Sequence, residues 1–275
     1  MRFVAGESLE DGLVAARRLN GRGIGAILDL LGENIVSREQ AHAAADAYSL
    51  ALKRIRESQL PDANISIKLT QLGLDASETF CRENAERVLE AAEGTLVMID
   101  MEASPYVEPT LRLFRALRER FPGVGVCVQA SLRRTAEDVR MLADLGATVR
   151  VCKGAYLEPP EVAFPDRAEV RRSFARACAT LLAAGSEVHV ATHDPVLIGG
   201  AKRFVARRGI SRANYEFQML YGIRRDLQEQ LAREGHRMRV YIPYGDQWFP
   251  YLTRRLAERP ANLWFFVSNL LRRRR

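Results

Sequence analysis

Several features that would assign this 275-residue chain to a class on sight are missing. Cysteine is scarce: Cys81, Cys127, Cys152 and Cys178 stand far apart, with no C-x-x-C pair. That spacing excludes a dense disulfide framework and reads as reduced thiols in a cytoplasmic protein. No run of about 18 apolar residues occurs, so no membrane-spanning helix is expected. The N-terminus has no apolar stretch of the kind that marks a signal peptide. A glycine-rich turn after the first strand is also absent, since the glycines of "NGRGIGAILDL" precede the strand; this counts against an open dinucleotide-binding sheet. Histidine is rare. His189 and His193 lie four apart in a strand-like run, roughly 13 Å, too far to share one metal ion, and no carboxylate cluster supplements them. No metal is expected. Nor does any linker or low-complexity block divide the chain, which is expected to form one domain over 1–275.

Basic charge, by contrast, is in excess. Lys and Arg number 41 against 34 Asp and Glu, a formal charge of +7. This permits a nucleic acid, an anionic lipid or an acidic ligand without choosing among them. The terminal run Arg272–Arg275 supplies four of those charges and reads as a solvated tail. With 47% hydrophobic residues and this length, the chain can bury a large core.

Short apolar, β-branched runs alternate with segments of helical period. "GAILDL" (25–30), "NISIKL" (64–69), "TLVMID" (95–100), "VGVCVQ" (124–129), "TVRVC" (148–152), "EVHVAT" (187–192), "ANYEFQ" (213–218) and "RMRVYI" (237–242) read as eight strands. Eight β-α units about 25–35 residues apart predict a closed parallel (β/α)8 barrel. Residues 8–20 form a leading helix, expected to cover the barrel floor.

In such barrels ligands sit at the C-terminal strand ends. Those ends carry Asp29, Lys68, Asp100 with Glu102, Gln129, Arg150 with Lys153, Thr192 with His193, Gln218 and Tyr241. Unpaired charges inside a barrel are costly, so these groups line a polar mouth or pair with one another. Lys68 fits three roles: a satisfied strand-end cation, a carboxylate anchor, or a Schiff-base nucleophile with lowered pKa. Asp100 and Glu102 share one strand face and form either a carboxylate pair or a neutralising group for Lys68 or Arg150. Arg150 is expected to point inward. His193 reads as a hydrogen-bonding group at the pocket edge. Lys153-Gly154 opens the next loop, where a charge and exposed N–H groups can approach a phosphate together, although Lys-Gly pairs are common in turns. After the eighth strand, "YLTRRLAER" sets Tyr251, Arg254, Arg255 and Glu258 on one helical face. Two adjacent guanidiniums suit either a clamped carboxylate or a solvent-facing stripe.

Taken together, "SIKLTQLG", "VMIDMEA", "VCVQAS", "VRVCKGAY", "VATHD", "YEFQMLYG", "VYIPYG" and "YLTRRLAER" resemble the FAD-dependent proline dehydrogenases, both the stand-alone bacterial type and the domain within bifunctional proline-utilisation proteins. The resemblance runs through nearly the whole chain. It implies a distorted (β/α)8 barrel whose final helix carries the arginine pair over the mouth. It also implies oxidation of L-proline to Δ1-pyrroline-5-carboxylate by hydride transfer to FAD. Lys68, Tyr156, Leu220, Tyr241, Arg254 and Arg255 would bind proline, with Glu258 holding the arginine helix. Met101, Gln129, Arg150, Lys153, Gly154, Ala155, Thr192 and His193 would bind FAD, and Asp100 and Arg150 would frame the reacting centre. A membrane quinone is the implied electron acceptor, so a cytoplasmic enzyme in peripheral contact with the inner face of the membrane is expected, and no nucleic acid. The family's stand-alone members usually begin with extra N-terminal helices, which this chain is expected to lack. An aldolase-like barrel using Lys68 and a non-catalytic basic scaffold are the alternative readings.

Overall fold

In the computed structural model, residues 3–253 are described apart from 34, 36, 250 and 252. Eight parallel strands close on themselves in chain order: β1 (Gly25–Leu30), β2 (Ala63–Ile67), β3 (Val97–Ile99), β4 (Val124–Gln129), β5 (Thr148–Cys152), β6 (Val188–Ala191), β7 (Tyr215–Leu220) and β8 (Met238–Tyr244). Closure runs through β1 and β8, which pair from Gly25↔Arg239 to Leu30↔Tyr244. All eight expected strands are present, with ends shifted by a few residues where apolar runs extend beyond the ladder.

Side chains alternate across each strand. Ala26, Leu28, Ile65, Ile67, Val97, Ile99, Val124, Val126, Val149, Val151, Val188, Val190, Phe217 and Val240 belong to the core shared with the surrounding helices. These helices are α2 (Arg38–Glu57), α3 (Glu78–Ala92), α4 (Val107–Arg120), α5 (Thr135–Asp144), α6 (Arg167–Ala183), α7 (Pro195–Arg208) and α8 (Arg225–Arg233). Several start where a short polar side chain accepts an otherwise unpaired N–H of the first turn: Ser37 from Gln40, Ser77 from Phe80, Asp166 from Ala168 and Asp194 from Val196. The alternate strand positions face the lumen, and unlike most barrels of this kind they are largely polar rather than branched aliphatic. Ser66, Arg150, His189, Glu216, Gln218 and Arg239 are all buried there.

The leading helix α1 (Leu9–Asn20) lies elsewhere than expected. It packs on β1 and β8 along the outer wall and does not cover the floor. The reason is its buried face of small residues, Gly12, Ala15 and Ala16 around Leu13. A Cβ on Gly12 would come within 3.2 Å of Leu28 and 3.3 Å of Tyr244, so glycine permits the close approach. Helix α1 thus fills the wall position that a helix after β8 would otherwise take. Just beyond β8, Tyr251 packs at the mouth with Val4 and Leu31, and Trp248 lies against them. Trp248, Phe249, Tyr251 and Thr253 are helical there, at the start of the segment expected to form the final helix. Arg254, Arg255 and Glu258 lie outside the described residues.

Candidate active site

Hydrogen bonds between strands that are not neighbours can only cross the lumen, and a set of them joins the C-terminal strand ends. From β5, Arg150 donates through Nη1 to Ser66 Oγ on β2 at 3.0 Å and to Asp100 Oδ1, just after β3, at 2.5 Å. Tyr241 on β8 donates its hydroxyl to the other oxygen, Asp100 Oδ2, at 2.5 Å. The guanidinium carbon of Arg150 lies 5.3 Å from the Tyr241 ring centroid, a cation–π distance. Lys68, one residue past β2, is bonded to Asp29 on β1 and stands 4.0 Å from Asp100. Lys68, Asp100, Arg150 and Tyr241, gathered from the sequence as separate candidates, therefore form one connected cluster.

The electrostatics select among the alternatives for Lys68. Burial alone would lower its pKa, but Asp29 and Asp100 outweigh this and raise it. The side chain thus keeps its proton, which suits a carboxylate anchor and not an amine nucleophile. Asp29 is almost wholly buried, and its pKa is raised, chiefly by burial, with Lys68 opposing. Tyr241 is driven well above the ordinary phenol value by burial and by Asp100 and Asp29, so it acts as a neutral donor. Burial tends to lower the Arg150 pKa, but Asp100 and the other nearby groups raise it, leaving a permanent cation. Its Nη2 bonds to no described residue, so two N–H donors remain for a ligand.

Asp100 and Glu102 do not form a carboxylate pair: the first serves Arg150 and Tyr241, the second faces the β2–α3 loop. Glu102 accepts from Thr70 N at 3.1 Å and Thr70 Oγ1 at 2.6 Å. Burial pushes its pKa up to about 7 against those bonds. A carboxyl raised in the folded state binds more protons folded than unfolded between about 4.5 and 7, so its stabilising contribution is full below that window and lost as pH rises through it. Glu102→Gln mimics the protonated form. Urea unfolding from pH 5 to 8 is expected to show wild type losing roughly 2.5 kcal/mol relative to this variant; parallel curves would refute the assignment.

Around the cluster, the loop after β5 is shaped for close approach. Gly154 has φ +117°, and a Cβ there would lie 2.2 Å from Ser131 Oγ. Lys153 Nζ and Arg171 Nε each contact Asp194 Oδ2 at 2.8 Å, which holds two cations beside this turn. Gln129 spans the site: its Nε2 donates to Glu102 O at 2.8 Å and its Oε1 accepts from Ala155 N at 3.3 Å. Thr192 Oγ1 accepts from Asp194 N at 3.1 Å, and His193 Nε2 accepts from Leu220 N at 2.9 Å. Met101 is buried, while Ala155, Tyr156 and Leu220 are half-buried. Cations beside a glycine turn, with spare donors on a buried arginine, fit an anionic dinucleotide such as FAD. Asp29 and Gln218, named among the strand-end groups without a specific role, join the cluster through Lys68 and Arg150; Ser66 also belongs to it, and the sequence reading does not single it out. Among the described residues no group of three or more His, Cys, Asp or Glu is placed to hold a metal ion.

Comparison with known proteins adds an independent line. The family model "Proline dehydrogenase" matches residues 13–267. The chain is 42% identical over 274 residues to proline dehydrogenase 1 of Bacillus subtilis, covering 99% of this chain and 90% of that protein. It is likewise 42% identical over 278 residues to the proline dehydrogenase of Deinococcus radiodurans, covering 98% and 89%. Among solved structures, proline utilization A from Bdellovibrio bacteriovorus superposes with a TM-score of 0.87 at 24% identity, over 93% of this chain and 32% of that one.

Proposed function

Since the chain belongs to the proline dehydrogenase family and oxidises L-proline with FAD in the first step of proline catabolism, we propose how its residues divide that work. The cross-lumen cluster of Lys68, Asp29, Asp100, Tyr241 and Arg150 beside the Gly154 turn carries the reading. Lys68 anchors the proline carboxylate from below, its charge preserved by Asp29. Arg254 and Arg255, beyond the described residues, complete the clamp on the carboxylate. Tyr241, Leu220 and Tyr156 bound the proline ring. Tyr241 is pinned by Asp100, and Leu220 is fixed by the bond from its N–H to His193.

FAD supplies the two-electron acceptor for the hydride leaving the ring carbon next to nitrogen. Lys153, Gly154 and Ala155, with Thr192, His193, Gln129 and the Met101 backbone, are the residues that would hold it. Asp100 orients Arg150, whose two unbonded donors stabilise the negative charge accumulating opposite proline. The test is direct: proline added anaerobically to purified protein should bleach a flavin band near ~450 nm. A colourless protein trapped at Lys68 by borohydride would overturn the assignment. Arg254→Met and Arg255→Met are each expected to raise the proline KM at least ~10-fold, the loss of one charge-assisted bond; unchanged values in both would remove the clamp.

The electrons then pass to a membrane quinone, and the mouth rim supports a peripheral contact from the cytoplasmic side. Among the described residues no helix is long and apolar enough to cross a membrane. Yet Leu157, 97% exposed after β5, Val196, 64% exposed after β6, and Phe249, 67% exposed after β8, all lie on the mouth side. Apolar side chains so placed are costly in water and gain about 1.5–3 kcal/mol each when buried in lipid. Leu157→Asp with Phe249→Asp should weaken sedimentation with phosphatidylglycerol-containing vesicles at least ~10-fold and leave proline-driven dye reduction intact. Equal sedimentation of wild type and variant would refute the contact.

A further inference from the structure

We propose that Gln218 is a positioning residue for the hydride transfer, holding Arg150 in its working pose through the Arg150 Nε–H. The inference rests on the reading of Arg150 as the cation facing the electron acceptor, and it concerns residues below the site, toward the barrel floor.

A guanidinium fixed only by Asp100 and Ser66 through Nη1 keeps a hinge about that nitrogen. The second fixed point is Nε, which donates to Gln218 Oε1 at 2.7 Å. Together with the covalent link at Cδ, the two held nitrogens set the plane of the group and therefore the direction of the Nη2 donors, which bond to no described residue. Gln218 in turn has only one usable orientation. Its Nε2 donates to Glu216 Oε1 at 2.5 Å and to His189 Nδ1 at 2.9 Å. Reversing the amide would set its oxygen against a carboxylate and against Arg150's requirement for an acceptor.

Glu216 is itself immobile. Arg239 Nε donates to both of its oxygens, at 3.0 and 3.2 Å, and Arg237 Nη2 donates to Oε2 at 3.2 Å. Burial raises the Glu216 pKa, but the Arg239 and Arg237 cations and the Gln218 hydrogen bond pull it below the usual carboxylate value, so it stays an acceptor. With His189 Nδ1 accepting from Gln218, the ring proton lies on Nε2, 3.4 Å from Glu187 Oε1. A chain of buried hydrogen bonds thus runs from the floor arginines through Glu216 to Gln218 and ends on Arg150. It carries no proton, because neither an amide nor a guanidinium relays one at neutral pH; its work is orientation. If Gln218 is removed, the buried Arg150 Nε–H loses its acceptor and the group is free to rotate toward a second bond with Asp100, drawing Nη2 away from the ligand.

The experiment uses the FAD-loaded enzyme and compares Gln218→Met, Gln218→Glu and Arg150→Met. For Gln218→Met the limiting rate of flavin reduction at saturating proline should fall at least ~10-fold. Its apparent proline dissociation constant and FAD content should stay near wild type, and the flavin midpoint potential should move negative. Gln218→Glu retains an acceptor for Nε and, protonated, a donor to Glu216, so it should recover a rate within about threefold of wild type. A wild-type rate and potential in Gln218→Met would overturn the inference. If that variant does not bind FAD, Gln218→Glu decides alone, a rate within about threefold of wild type supporting the inference and any lower rate overturning it. Arg150→Met separates the premise from the inference. A wild-type rate there would sink the assignment of Arg150 itself, whereas a slow Arg150→Met beside an unaffected Gln218→Met would sink only the positioning role.

Discussion

Asp29→Ala is expected to lower the stability of this protein by about 3–5 kcal/mol, the cost of stranding a buried charge. Lys68 and Asp29 face each other with side-chain exposures of 9% and 1%. The remaining carboxylate near Lys68, Asp100 at 4.0 Å, is already committed to Arg150 and Tyr241. Against the 5–15 kcal/mol typical of a folded domain, such a loss leaves little margin. The double variant Asp29→Leu/Lys68→Met removes both charges and should regain most of the stability, because desolvation of the pair roughly offsets its attraction. It should not regain proline binding, since the carboxylate anchor is gone. Urea unfolding of the three proteins, with proline titration of the double variant, checks both statements. A single variant as stable as wild type, or a double variant that binds proline normally, would contradict them.

The barrel was legible because its strands carry two signals at once. Runs such as "TVRVC" and "VGVCVQ" are β-branched enough to read as strands, and the helical segments between them recur at the spacing a closed barrel requires. The position of α1 was not legible. Its amphipathic pattern says that one face is buried but not against what; the small residues Gly12, Ala15 and Ala16 pointed to close packing on a flat surface, and the wall at β1 and β8 supplied it. The site was legible by type and not by wiring. Polar residues at strand ends identify a mouth, yet Arg150 and Ser66 are 84 residues apart, and nothing local indicates that they meet across the lumen. For the same reason Gln218 read as one more polar strand end and His189 only as a histidine too far from His193 to share a metal ion. Burial by the closed sheet turns both into partners in a shared network, and closure is a property of all eight strands together.

Arg150→Met should lower the rate of proline-driven flavin reduction by about 10²–10³-fold, the effect of removing one preorganised donor from a developing charge. The side chain is 5% exposed and held by Gln218, Ser66 and Asp100, so its direction is set before substrate arrives. Preorganisation of this kind avoids reorienting solvent during the reaction, which is why the loss should fall on the limiting rate more than on proline affinity. Arg150→Lys keeps the charge but lacks the planar fork. It can reach Asp100 or Ser66 but cannot bond Gln218 at the same time and still present two donors to the ligand. Its rate should therefore lie well below wild type and above that of the methionine variant. Asp100→Asn supplies the complementary case: Tyr241 and Arg150 both lose charge-assisted partners, and Lys68 loses a neighbouring carboxylate. Stopped-flow reduction at saturating proline separates these outcomes. A methionine variant as fast as wild type would mean that Arg150 serves only to neutralise Asp100; the ordering wild type, lysine, methionine would mean that both its charge and its fixed plane act on the reaction.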